Sequence, residues 1–155
     1  MTRYWLVKSE PSEYSIDDLR AEPDQIACWD GIRNYQARNF MRDEMTVGDG
    51  VLFYHSNASP PGVVGTATVA REAYPDHTQF DPGDPHYDPK ATEDAPRWFM
   101  VDIRFEEAFP RLVPLSELKV TPGREELPLV RKGSRLSIMP VSTAEWEIIH
   151  RLAHP

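Results

Sequence analysis

Residues 98–109, WFMVDIRFEEAF, alternate more clearly than any other part of the 155-residue chain. Phe99, Val101, Ile103 and Phe105 point one way and Met100, Asp102 and Arg104 the other, the period of a strand. Working outward, the same period recurs in VLFYHS, where Val51, Phe53 and His55 oppose Leu52, Tyr54 and Ser56. RYWLVK sets Tyr4, Leu6 and Lys8 against Trp5 and Val7, and VVGTATVA returns from the NASPPG turn. Gly65 inside that strand marks a bulge or a close approach to the backbone. RLSIM is a last strand, with Leu136 and Ile138 toward the core and Arg135 and Ser137 on the other side.

Helix signals fill the gaps. Ser15 and Asp18 make a weak capping box for IDDLRA, ended by Pro23. Gly31 suits a turn at WDGI, and Asn34 can cap a helix over YQARNFMRDEM with Ala37, Phe40, Met41 and Met45 as its apolar stripe. PLSEL predicts a helical turn and REELPLVRKG a further short one. Ser142 and Glu145 form a capping box for a terminal helix carrying Trp146, Ile149 and Leu152. Residues 74–97, rich in Pro, Asp and His, read as one long loop. Five short strands among short helices predict a mixed α/β fold with a barrel-like sheet.

The length suits one domain over residues 1–155. Such a chain buries roughly two-thirds of its extended surface, so it needs no disulfide or metal to fold. Cys28 is the one cysteine, which excludes an internal disulfide framework and fits a reducing compartment. The opening MTRYWLVKSE lacks the apolar core of a signal peptide, and no hydrophobic run reaches membrane-spanning length. A soluble cytoplasmic protein without a membrane partner is expected. Net charge is -8, but residues 72–96 hold seven acidic residues against Lys90, and the remainder holds 18 acidic against 16 basic. Wrapping duplex DNA requires clustered cations, which this balance disfavours; a local basic patch remains compatible with it.

Two segments concentrate chemistry. CWDGIRNYQARNFM sets Trp29, Tyr35 and Phe40 among Asp30, Arg33, Asn34 and Arg38; either these lock a corner of the core or they surround something flat. FYHSN presents His55, Ser56 and Asn57 at a strand end, as a core histidine followed by a turn or as groups that read the edge of a planar ligand. Lys8, Arg135 and Ser137 either reach the same mouth or are solvated. Catalysis has weaker support. Cys28 with His55 is a nucleophile–base possibility, but Ser56 and His55 alternate across a strand and cannot easily share a proton. His77, Asp81, Asp84, His86 and Asp88 match neither a zinc nor a calcium spacing and read as a solvated acidic loop. A glycine-rich phosphate loop is absent. No catalytic set, metal or cofactor is expected.

Several blocks in one order then carry a resemblance: YWLVKSEP, WDGIRNYQARNFMR, GDGVLFYHSN, GVVGTATV, AYPDHTQFD, Trp98 followed by VDIRF, and RLSIMPVS. Together they make the chain resemble the EVE domain family of the PUA-like group over nearly its whole length. The resemblance implies a PUA-like curved pseudo-barrel sheet flanked by short helices, and a non-catalytic module that holds a modified base, in DNA or RNA. It implies a pocket built from Lys8, Ser9, Trp29, Asp30, Arg33, Asn34, His55, Ser56, Asn57, Arg135 and Ser137. Arg38 and Arg42 are expected to meet backbone phosphates. Some relatives occur near restriction or defence genes, which makes such proteins possible partners. The alternatives are an RNA-binding or RNA-cleaving protein similar to ASCH domains, and a small-molecule or protein-interaction module.

Overall fold

In the computed structural model, residues 2–121 and 136–155 are described. Arg135 and the helix expected over REELPLVRKG lie outside them. The chain forms β1 (Tyr4–Ser9), α1 (Ile16–Arg20), β2 (Ile26–Cys28), α2 (Tyr35–Asp43), β3 (Gly50–His55) and β4 (Gly62–Pro75). After the connection come β5 (Phe99–Pro114), α3 (Leu115–Leu118), β6 (Ile138–Val141) and α4 (Thr143–Ala153). One sheet runs in the order β2-β5-β4-β3-β1-β6, with β1 and β3 parallel and the other pairs antiparallel. This is a mixed α/β fold with a sheet flanked by short helices, as the PUA-like architecture has it.

The expected caps form. Ser15 and Asp18 bond reciprocally at α1, Ser142 and Glu145 do so at α4, and the Asn34 carboxamide accepts from the Ala37 amide at 2.9 Å. Each satisfies an amide that the first helical turn leaves without a partner.

Alternation along the strands divides two cores rather than a core from solvent. Trp5, Val7, Val51, Phe53, Val101 and Ile103 join α1 and α2 residues on one face, while Leu6, Leu52, Tyr54, Val63 and Val113 join α3 and α4 residues on the other. The one-sided reading of RLSIM is corrected accordingly: Ile138 belongs to the first core and Leu136 packs on the second.

Two other expectations need revision. There are six strands, because Ile26–Cys28 pairs with Arg104, Ile103 and Asp102 of β5. A three-residue strand has too few positions to show a period. β4 and β5 also run further than their patterns suggest, to 14 and 16 residues, because four register shifts between them break the alternation. Bulges of this kind bend and twist the paired strands. Gly65 sits at one shift, where an added Cβ would lie 2.2 Å from both the Glu107 carbonyl and the Ile16 Cδ1. Bulge and close approach are both present.

Candidate nucleic-acid interface

The bent sheet brings its two edges together. Ala27, Cys28 and Trp29, at the end of edge strand β2, line the same cleft as Leu136 and Ser137, which lead into the opposite edge strand β6. The cleft is open and has a volume of about 680 Å³, within the range of about 300–1,000 Å³ typical of ligand sites. Its floor is the end of the parallel pair: the Ser56 amide donates to the Ser9 carbonyl and the Lys8 amide to the Ser137 carbonyl, both at 2.9 Å. Glu10, Glu13, Tyr14, Glu22, Asp30, Gly31, Ile32 and His86 complete the wall.

Lys8, Ser9, Trp29, Asp30, Ser56 and Ser137 are thus the six expected residues that the fold brings around one opening. Trp29 is 7 % exposed and packs in the first core, with Tyr14 and Phe53 edge-on at centroid distances of 6.0 and 5.5 Å. It is a wall embedded in the core, and Tyr14 is the second ring of the cleft. Ser9 is partly spent, its hydroxyl donating to the Tyr14 carbonyl at 2.5 Å. Lys8 is half-buried with no ion pair among the described residues, and burial pushes its ammonium below the usual lysine range.

The remaining described candidates lie outside the cleft lining, and their hydrogen bonds show why. His55 Nε2 accepts the Ile16 amide at 3.1 Å at the start of α1, and burial lowers its pKa. Asn57 adopts a left-handed backbone with φ of 49° and donates its amide to Glu10. Asn34 is occupied as the α2 cap.

Arg33 donates to the His86 carbonyl at 3.0 and 2.8 Å, to Asp76 at 3.1 Å and to Thr78 at 2.9 Å. Arg38 donates to the Arg97 carbonyl at 2.9 Å and lies over the Tyr35 ring, which stacks on Trp98. Arg42 is paired with Asp43 at 2.8 Å on the exposed helix face. Planar polar side chains that suit a ligand equally suit a cap or a brace.

Those braces turn the expected long loop into an ordered strap. Asp76 is 0 % exposed and accepts from the Gly31 amide, the Arg33 guanidinium and both donors of Thr78. Burial alone would raise its pKa, but these hydrogen bonds outweigh that and hold the carboxyl below the ordinary range. Gln79, equally buried, donates to the Asp76 and Trp98 carbonyls and accepts from the Arg97 and Trp98 amides. Asp81, Asp84 and Asp88 accept nearby amides of the strap, and Asp88 also holds the Trp98 indole. The strap delivers His86 to the cleft, where its ring would meet any Cβ on Gly31 at 2.8 Å. Gly31 has φ of +77°, a backbone that side chains rarely adopt, and a Cβ there would also make the His86 ring shift.

Electrostatically, the described wall sets Glu10, Glu13, Glu22 and Asp30 against Lys8 and the imidazole of His86. The Cys28 thiol is raised by burial and by Asp30 and Asp102, which keeps it protonated and a poor nucleophile. No helix among the described residues is long and apolar enough to cross a membrane. Tyr14 and the three glutamates were not singled out by sequence, and His86 was weighed there only as a metal-ligand candidate of the acidic loop. SEPSEYS reads as a turn, and its acidic and aromatic residues directly after a strand were the available signal.

Comparison with known proteins places this architecture. Thymocyte nuclear protein 1 of Mus musculus is 46 % identical over 165 residues, covering 96 % of this chain and 73 % of the mouse protein. The crystal structure of human THYN1 protein in complex with 5-methylcytosine-containing DNA superposes with a TM-score of 0.93 and 42 % identity, covering 99 % of each chain. An ASCH protein of Zymomonas mobilis superposes with a TM-score of 0.53 at 11 % identity over 96 % of this chain and 97 % of the other, a likeness of fold alone. The EVE domain model matches residues 3–152, and the chain belongs to the EVE domain family.

Proposed function

We propose that this protein is a non-catalytic reader that holds one modified base of DNA in the cleft at Trp29. The observation that carries the reading is an open cleft of about 680 Å³ with ring walls and polar groups left over after folding. The human relative solved with 5-methylcytosine-containing DNA makes that base the first ligand to test. Extruding a base costs a few kcal/mol, less from a single strand, and stacking on an aromatic wall returns about 1–3 kcal/mol. The two roughly cancel, so discrimination comes from the polar edge contacts.

Lys8, Ser56 and Ser137 supply donors inside the cleft. A phosphate entering it would meet four carboxylates, so the backbone stays outside, where Arg42 and the α2 face offer cations. Arg33, Asn34, Asn57 and His55 shape the walls from behind. A catalytic activity, if coupled to this reading, comes from a partner such as a restriction or defence protein.

Titration of the full chain with oligonucleotides carrying 5-methylcytosine, cytosine or an abasic site, single- and double-stranded at one salt concentration, tests the proposal. Tighter binding of the modified strand is expected; equal affinity for all three sinks it. An RNA-directed reading would instead show cleavage products on prolonged incubation. The small-molecule reading draws on the burial of Trp29 and would show as binding of a free heterocycle unaffected by its place in a strand.

A further inference from the structure

The acidic groups of the cleft differ in how far the fold has already used them. Glu10 accepts from the Asn57 amide, and Glu22 accepts the Tyr14 hydroxyl at 3.1 Å. Glu13 is exposed at the rim. Asp30 is different in two respects. Its backbone is clamped on both sides, by the Trp29 amide on the Val101 carbonyl at 2.7 Å and by the Gly31 amide on Asp76 at 2.8 Å. Its carboxylate, however, takes no hydrogen bond from another described residue. A positioned but uncommitted acceptor beside a ring wall is what base-edge recognition requires. Across the same opening, Lys8 is a donor whose ammonium has no acceptor among the described residues.

We infer that Asp30 is the specificity-determining residue of the cleft, accepting the exocyclic amine of a 4-amino pyrimidine while Lys8 donates to the ring carbonyl. The inference rests on the base-holding reading above. A carboxylate accepts from the cytosine amine. A 4-oxo pyrimidine, thymine or uracil, would turn carbonyl lone pairs toward Asp30, and an acceptor facing an acceptor leaves both without a donor. The ring carbonyl at position 2 is common to both classes, so Lys8 contributes affinity without choosing between them.

The test uses the full chain and short single strands that differ at one position: 5-methylcytosine, thymine or an abasic site. The first two share the 5-methyl group and differ in the hydrogen bonds at positions 3 and 4. The unaltered protein should favour 5-methylcytosine over thymine by about tenfold or more. Asp30→Asn, whose amide can turn its donor toward a carbonyl, should reduce that ratio to within about threefold. Lys8→Met should weaken both strands and leave the ratio in place. Asp30→Asn keeping the full preference overturns the assignment, as does Lys8→Met abolishing it. Equal binding of the abasic strand by the unaltered protein defeats the base-holding reading itself, a different result from either.

Discussion

Asp30 and Asp76 stand on either side of Gly31 and show two uses of one side chain. Asp76 is fully buried and accepts from four donors on three residues. Asp30 reaches the cleft from an exposed position and takes nothing from its described neighbours. Desolvation and the negative charge of Asp76 push the Asp30 carboxyl up, whereas the hydrogen bonds to Asp76 bring its own down. The contrast extends to whole regions. In the strap, donors and acceptors are consumed by folding; in the cleft, the side chains of Lys8, Asp30, Ser56 and Ser137 bond to no other described residue. Polar groups that a fold leaves unspent in a concave place are available to a ligand.

The largest effect that would break this comparison belongs to the strap. Asp76→Ala leaves the Gly31 amide unpaired and the Arg33 guanidinium without its carboxylate, and should cost about 3–5 kcal/mol, read from the midpoint of denaturant unfolding. The pH dependence follows the same group. With its folded pKa depressed, Asp76 contributes stability that is present above the unfolded carboxylate value, about 3.9, and is lost as pH falls through the folded one. Asp76→Asn should therefore flatten the decline in stability of the acid limb below about pH 4; an unchanged slope would show that other carboxylates govern it.

Gln79→Ala leaves the Arg97 and Trp98 amides unpaired and takes one donor from the Asp76 and Trp98 carbonyls, and should cost about 2–3 kcal/mol. Hydrogen exchange at Trp98 should rise with it. Ser142→Ala, which removes a cap remote from both regions, should cost about 1 kcal/mol and leave nucleic-acid affinity alone.

The smallest stability effects are expected in the cleft. Asp30→Asn and Lys8→Met should each lie within about 0.5 kcal/mol of the unaltered protein while changing binding. A destabilisation as large as that of Asp76→Ala would remove the distinction between the two regions. Arg42→Ala should leave the melting temperature nearly unchanged and reduce the salt dependence of DNA binding by about one counterion if that face meets phosphate.

The contrast also explains which features could be read in advance. Ser15, Asn34 and Ser142 were legible as caps because a cap is settled within four residues. Gly31 and Gly65 were legible because so few residue types tolerate their surroundings. β2 was not, being too short to show a period, and the ends of β4 and β5 were hidden by their bulges. In the cleft, Trp29, Asp30, Ser56 and Lys8 stood out by type and position. Arg33 and Asn34 stood out for the same reason, yet serve as brace and cap. Residue type reports what a side chain can bond to, and its neighbours decide what it does bond to.

By itself, the sequence determined most of the local elements, the helix caps, the alternation of the longer strands and the family, because each depends on residues close together or on blocks kept in order. The tertiary structure alone decided that both sheet faces are cores and that β2 and β6 meet around one opening. It also decided which carboxylates remain free. Those outcomes depend on contacts between segments tens of residues apart, where the bending of β4 and β5 sets which side chains meet and which are left facing the cleft.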